Sequence, residues 1–197
     1  TTGCTSHWSG VLTPRGHFKI WLCASADSAA DESIRSFVAG LADDLWDAMT
    51  PAMGPPRPDA DGGDDRVDVY LLTPNQCRVR DGECLPIPGG AVAAAYPVAP
   101  FAPNGRGGQA ASGAIVVDRT RIADLAADFA HEFFHVLQFA HNGAARLTDT
   151  GQRRGDVPVL DGSWFVEASA PGAEWWWARA TRRTLHQANF VGRFQAA

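Results

Sequence analysis

The segment His-Glu-Phe-Phe-His at residues 131–135 decides how the rest of this chain is arranged. Residues four apart on an α-helix differ by roughly 40° in azimuth and 6 Å in rise. His131 and His135 therefore project from one helical face, close enough for both imidazole rings to bind a single metal ion. Glu132 points to the side of that pair, where its carboxylate can reach a metal-bound water without being a ligand. The segment predicts a metal site with a base beside it.

The residues around this motif predict that it lies on an amphipathic helix. Thr120 can cap the start, and Asn142-Gly143 supplies the residues expected just past a helix end. A random HExxH is expected only roughly 0.005 times in a chain of this composition. The alternative, a core helix whose two histidines are satisfied by neighbours, is therefore the weaker interpretation. The apolar positions at helical spacing are Ile122, Leu125, Phe129, Phe133, Val136, Leu137 and Ala140.

Two residues compete to be the third metal ligand. His141 lies ten residues after His131, but Gln138 stands where a glycine would let the chain turn back towards the metal. On a continuing helix His141 would lie roughly 15 Å along the axis from His131 and about 80° off its face. Glu167 follows a long loop on a separate predicted helix, from which its carboxylate could complete a His₂Glu set for catalytic zinc. The sequence favours Glu167 over His141.

These segments together resemble a known family. The stretches HEFFHVLQ at 131–138 and WFVEASA at 164–170 resemble the gluzincin branch of zinc metallopeptidases, which includes thermolysin. They are most similar to secreted bacterial metalloproteases with the pattern HEFFHxxQ…WxxEA(S/T)A. The resemblance is sharp over about residues 113–170 and looser over 17–72.

The resemblance implies a role for each matching residue. His131, His135 and Glu167 would bind one Zn²⁺ ion, and Glu132 would be the general base of a peptidase. Many gluzincins also carry an acid four residues after the glutamate ligand, which orients a ligand histidine, but here that position is Pro171. The acid that orients a histidine and the oxyanion-stabilising side chain are therefore unassigned. Candidates are Asp128 and Asp161 for the first role, and His186, Tyr70 and Tyr96 for the second.

The whole chain predicts an α/β (α+β, zincin-like) fold. A twisted mixed sheet with the active-site helix would occupy residues 1–143, and a small, mostly helical lobe carrying the third ligand would occupy 144–197. Residues 91–96 have small side chains and a nearby proline, which is typical of an edge strand. An extended peptide substrate would pair with that edge through main-chain hydrogen bonds. The predicted strands cover 17–23, 67–72, 91–96 and 114–118, and a helix covers about 28–50.

Charge and hydropathy exclude several partners. A net charge of −5 and a pI near 5.6 argue against nucleic acid or an anionic membrane surface. No run of about 18 apolar residues that could span a membrane is present. The acidic segment 59–65 could form a calcium loop, but Tyr70 stands where an EF-hand needs a bidentate glutamate. A solvated turn is the preferred interpretation of that segment.

The four cysteines point to an oxidising compartment. They fall in two local pairs, which suits Cys4–Cys23 and Cys77–Cys84 disulfides and a secreted protein. The two other pairings, and four buried free thiols, stay open at this point. The sequence as a whole predicts a secreted zinc endopeptidase. The alternative is a catalytically silent, zinc-stabilised binding or adhesion domain, which would have no need of Glu132.

Overall fold

The computed structural model describes residues 2–4, 8–23, 29–59, 64–80, 83–103, 109–142 and 163–181. The strands within them are β1 Thr2–Gly3, β2 Trp8–Leu12, β3 Phe18–Cys23, β4 Val67–Leu72, β5 Gln76–Arg80, β6 Glu83–Pro86, β7 Ala93–Pro103 and β8 Gln109–Asp118. The helices are α1 Ala29–Met53, α2 Leu125–Asn142 and α3 Ser163–Thr181, with a 3₁₀ turn at Ile122–Asp124 before α2.

Five strands form one mixed sheet in the order β2-β3-β4-β8-β7. The three central strands are parallel, whereas β2 and β7 run antiparallel to their neighbours at the two edges. All six residues of β4 are buried, as expected for a parallel strand covered on both faces. The predicted mixed α/β architecture is confirmed, and so is the edge position of the predicted strand at 91–96.

The helices cover one face of this sheet and enclose the main core. Every second side chain of the central strands points to that face. Ile20, Val69 and Ile115 are examples, and all three are fully buried. Helix α2 lies directly on β8, where a β-carbon at Gly113 would come within 2.9 Å of Val136 and 3.0 Å of Phe139. The absence of a side chain at residue 113 therefore sets how closely the helix carrying the histidines approaches the sheet.

The opposite face of the sheet is covered by a second, three-stranded sheet in the order β1-β5-β6. One disulfide, Cys4–Cys23, ties it to the main sheet by linking the end of β1 to β3, and Cys77–Cys84 closes the β5–β6 pair. Both predicted pairings are confirmed. They are compatible with an extracellular protein.

A carboxyl group is buried on this second face. The indole Nε1 of Trp21 donates to Asp68 Oδ1 at 2.6 Å, and the Tyr70 hydroxyl donates to Oδ2 at 3.0 Å. Burial raises the pKa of Asp68 to about 6, outweighing the two hydrogen bonds, and the negative charges of Asp59 and Asp64 raise it further. Burial beside Asp68 likewise raises the pKa of Tyr70 above its ordinary value.

Helix α3 shares the main core rather than forming a separate one. Its Ala173, Trp177 and Ala178 belong to the same buried cluster as the sheet and the other two helices. The pair Pro171-Gly172 predicts an interruption of this helix, but that prediction is wrong, because α3 runs unbroken from Ser163 to Thr181. A proline inside a helix removes one hydrogen bond and crowds the carbonyl four residues earlier, and here the packing of α3 in the core offsets that cost. The rest of the predicted 144–197 lobe lies outside the described residues.

Candidate metal centre

Helix α2 brings three chemically active side chains to one point. The potential ligand atoms of His131, Glu132 and His135 all lie within 4.8 Å of one another. The two imidazole rings are 4.6 Å apart between centroids and nearly perpendicular, at 80°. His135 is fully buried, and the other two side chains are less than a tenth exposed. The spacing predicted from helix geometry is therefore present, in a site largely shielded from solvent.

The orientation of His131 is fixed from the neighbouring helix α3. Its Nδ1 lies 2.8 Å from Oε1 of Glu174, a carboxylate that is only 2 % exposed. Because a carboxylate can only accept, Nδ1 carries the proton and donates it. The lone pair of the neutral ring is then on Nε2, which is the arrangement found in metal-binding histidines backed by a carboxylate.

The orientation of His135 is fixed from within its own helix. Its Nδ1 lies 2.7 Å from Oε1 of Gln138, one turn further along α2. The amide oxygen accepts the Nδ1 proton, so the lone pair of this ring is also on Nε2. The two histidines thus present the same ring atom, although one is backed by a charged group and the other by a neutral amide.

Glu132 is held by the edge of the sheet. The backbone N–H of Ala95, in β7, donates to its Oε2 at 2.6 Å. Ala95 lies opposite Ile115 in the β7–β8 pair, at a position where the amide points away from β8 and along the open edge. The small, fully buried side chain of Ala95 lets α2 approach closely enough for this bond. The carboxylate is thereby fixed beside the imidazoles by the strand predicted to bind substrate.

The two candidates for the third ligand lie in different places. Glu167 is in α3, seven residues before Glu174, and seven residues complete about two helical turns with a drift of only about 20°. Glu167 therefore lies on the face of α3 from which Glu174 reaches His131. Its side chain is outside the described residues, so its carboxylate as a ligand stays a prediction. His141 is exposed at the end of α2, where its Nε2 is 2.9 Å from the Met53 carbonyl of α1.

Sequence reasoning missed the two residues that fix the histidines. The carboxylate that accepts the His131 Nδ1 proton is Glu174, seven residues after Glu167, whereas the sequence prediction weighed the position four residues after Glu167. Two turns return a side chain to the same helical face, so this spacing was a usable signal. Gln138 was interpreted only as a helix former, although it lies one turn after His135. Asp161 and His186 lie outside the described residues.

Neither tyrosine proposed as the oxyanion stabiliser lies at the histidines. Tyr70 and Tyr96 pack on the sheet face opposite the helices. Tyr70 donates to Asp68, and the hydroxyl of Tyr96 donates to the Pro86 carbonyl at 2.6 Å. Successive side chains of a strand alternate between faces, so both are directed away from α2. Neither tyrosine is therefore placed to stabilise an oxyanion at the metal centre.

The donor chemistry of the site fits zinc. Two imidazole nitrogens are donors that zinc accepts, and a third protein ligand, predicted to be Glu167, would leave a position for water or substrate. Among the residues that the structure describes, no other group of three His, Cys, Asp or Glu side chains could hold one ion. Residues 60–63 of the considered calcium loop lie outside that part of the chain, and Asp64 is paired with Lys19 at 2.8 Å.

Comparison with known proteins adds nothing to this geometry. No protein-family model, curated protein or solved structure matches the chain. In the described part of the chain, no helix is long and apolar enough to cross a membrane. Interpretation of the site therefore depends on its own atoms.

Proposed function

We propose that this chain is a secreted zinc endopeptidase in which His131, His135 and Glu167 bind the ion and Glu132 is the general base. The observation that carries the proposal is that both imidazole rings are held through the same ring atom, Nδ1. Each Nδ1 is held by a side-chain oxygen, which leaves Nε2 of each ring for a metal ion. The potential ligand atoms of the two histidines also lie within 4.8 Å of each other, which a core helix needing only satisfied histidines would not require.

The position of Glu132 supports hydrolysis rather than a purely structural site. Zinc, when bound, would polarise the scissile carbonyl and acidify the attacking water to a pKa of about 7. Glu132 would accept the proton of that water and deliver it to the leaving amine. The Ala95 N–H holds Oε2, which orients the carboxylate without neutralising it. Glu174 and Gln138 would keep the two rings oriented throughout.

The neighbouring strand supports a peptide as substrate. β7 is an edge strand, and its residue Ala95 contacts the base directly. An extended peptide added along that edge would place its main chain next to Glu132, with small alanine side chains leaving room for it. The alternative function, a zinc-stabilised binding domain, would use the same edge but would not require the carboxylate.

The test compares Glu132→Gln with the parent protein at matched zinc content, using casein as substrate. Glutamine keeps the shape of the side chain and can still accept the Ala95 N–H, but it cannot take a proton. Cleavage should fall by about 10²–10⁴-fold, the usual contribution of a positioned acid–base group. Zinc content and melting temperature should be unchanged. The exposed Asp65 provides a matched acid-to-amide control, Asp65→Asn, which should cleave like the parent.

Two outcomes would contradict the proposal. Equal, chelator-sensitive cleavage by Glu132→Gln would show that another group is the base. Stoichiometric zinc in a parent protein that cleaves neither casein nor a mixture of unfolded peptides would instead favour the binding domain.

A further inference from the structure

A second concave site lies at the opposite edge of the sheet from the histidines. It is a cavity of about 190 Å³ between strand β2 and helix α1, with Val11, Leu12, Pro14 and Ile20 among its apolar lining. Val11 and Leu12 are 43 % and 46 % exposed, so this apolar lining is accessible from solvent. With five strands spaced about 4.8 Å apart, this edge is roughly 19 Å from β7. The cavity is therefore separate from the metal centre.

The polar wall of this cavity contains a buried cation whose hydrogen bonding is incomplete. Arg35 lines the cavity and is only 8 % exposed. Its Nε is buried and has no hydrogen-bond partner in the described part of the chain. Its Nη1 is 3.5 Å from Glu32, whose side chain is 65 % exposed, so this ion pair is long and weakened by solvent.

An arginine in this state is costly unless something else binds it. A guanidinium carries five N–H donors in a planar fork, and burying them without acceptors is unfavourable. The group that satisfies this fork best is a carboxylate, which can accept two parallel hydrogen bonds. The apolar lining next to Arg35 requires that this carboxylate be attached to an apolar group.

We propose that this groove binds the carboxyl-terminal residue of a peptide. The terminal carboxylate would pair with Arg35, and an apolar side chain would contact Val11, Leu12 and Ile20. The preceding residues would extend along β2, which in the described part of the chain pairs with β3 alone and is an edge strand. Edge strands bind extended peptides through main-chain hydrogen bonds, with pockets for alternate side chains. The cavity is smaller than the 300–1,000 Å³ or so typical of drug-sized ligands, which suits one residue.

Binding is tested with a fluorescein-labelled hexapeptide that ends in leucine, as the free acid and as the carboxyl-terminal amide. The Glu132→Gln protein is used throughout, so that the peptide is not cleaved. Fluorescence anisotropy should show the free acid binding about 10-fold to 100-fold more tightly than the amide, the range expected for hydrogen bonds to charged groups. Arg35→Met, which keeps much of the apolar stem, should abolish this preference.

Glu32 provides a variant with the opposite expected sign. Because its carboxylate competes with the ligand for Arg35, Glu32→Gln should strengthen binding of the free acid several-fold and leave the amide unaffected. If Arg35→Met does not fold, which circular dichroism would reveal, Glu32→Gln still tests the proposal.

Three outcomes would overturn the proposal. The first is equal affinity for acid and amide, and the second is no binding of either by the folded protein. The third is displacement of the free-acid peptide by equimolar hexanoate, which would make the occupant a free apolar acid rather than a peptide. Arg35 and Glu32 lie at the β2 edge, away from the metal centre, so the effects of their variants are distinct from failure of the proposed peptidase activity.

Discussion

The two edges of the main sheet differ in how completely their polar groups are satisfied. At the β7 edge, each of the three clustered side chains is held by a partner from a different part of the chain: His131 by α3, Glu132 by β7 and His135 by its own helix. At the β2 edge, the buried Arg35 has, among the residues that the structure describes, a long contact to an exposed carboxylate and an Nε without a partner. A site whose side chains are already held by hydrogen bonds is built to keep them in place. A site that leaves a buried charge incompletely bonded is built to receive a partner.

The strongest test of the β7 edge removes a proposed ligand. Glu167→Ala should reduce zinc from one ion per chain to well below it, because two imidazoles alone leave the ion without its third protein ligand. His141→Ala should keep full zinc, since His141 contacts the carbonyl of Met53 at the end of α1. Elemental analysis of both variants after dialysis measures the effect. The reverse pattern would move the third ligand to the end of α2.

The next test separates the two groups that hold the histidines. Glu174→Leu should weaken zinc affinity by about 100-fold and Gln138→Leu by about 10-fold, the range seen for residues that orient metal ligands. The difference is expected because Glu174 is charged and buried, whereas Gln138 is neutral. Glu174→Gln, which keeps an acceptor oxygen, should restore part of the loss. Competition with a chelating dye gives the affinities, and equal losses at both positions would show that charge is unimportant.

A smaller effect is expected from the contact that sets the position of α2. Gly113→Ala would place a β-carbon against Val136 and Phe139, so the helix must shift, at a cost of about 1–3 kcal/mol in the free energy of unfolding. Gly40→Ala is the control, because nothing lies within 4 Å of its new β-carbon and alanine favours a helix. Urea denaturation should show the first variant destabilised and the second unchanged or stabilised. Loss of stability in both would implicate glycine itself rather than the contact.

The last effect concerns the buried acid between the two edges. The pKa of Asp68 is raised to about 6 from an ordinary 3.8, so the folded state retains a proton that the unfolded chain has lost. The contribution of this group to stability is therefore full below about pH 4 and falls as the pH rises to 6. Asp68→Asn should remove that fall, so its melting temperature should gain on the parent between pH 4 and 7, by about 2–4 °C for each kcal/mol of stability that the parent loses. Asp65→Asn is the exposed control. A pH profile of melting temperature for Asp68→Asn that runs parallel to that of the parent would contradict the raised pKa of Asp68.

The features that could be predicted from the sequence are those that depend on residues a short distance apart in the chain. The four-residue separation of His131 and His135 fixes their common face, and the local pairing of cysteines 77 and 84 needs only a short turn. The mixed sheet with β7 at its edge followed from strand composition. The spacing of Glu174 from Glu167 places both on one helical face, but which residue of that face meets His131 depends on how α3 lies against α2, and no single segment encodes that. Arg35 was missed because a cation six residues after the start of an amphipathic helix looks like an ordinary exposed residue until β2 is placed beside it.

The hydrogen bond from Ala95 to Glu132 has a consequence for how this protein can change over time. The donor is a main-chain amide, and every amino acid except proline supplies it. Other side chains along β7 can therefore vary, and with them whatever the strand recognises, while the attachment of the carboxylate requires only that residue 95 stay small. Selection on recognition and selection on chemistry act here on different residues of the same strand.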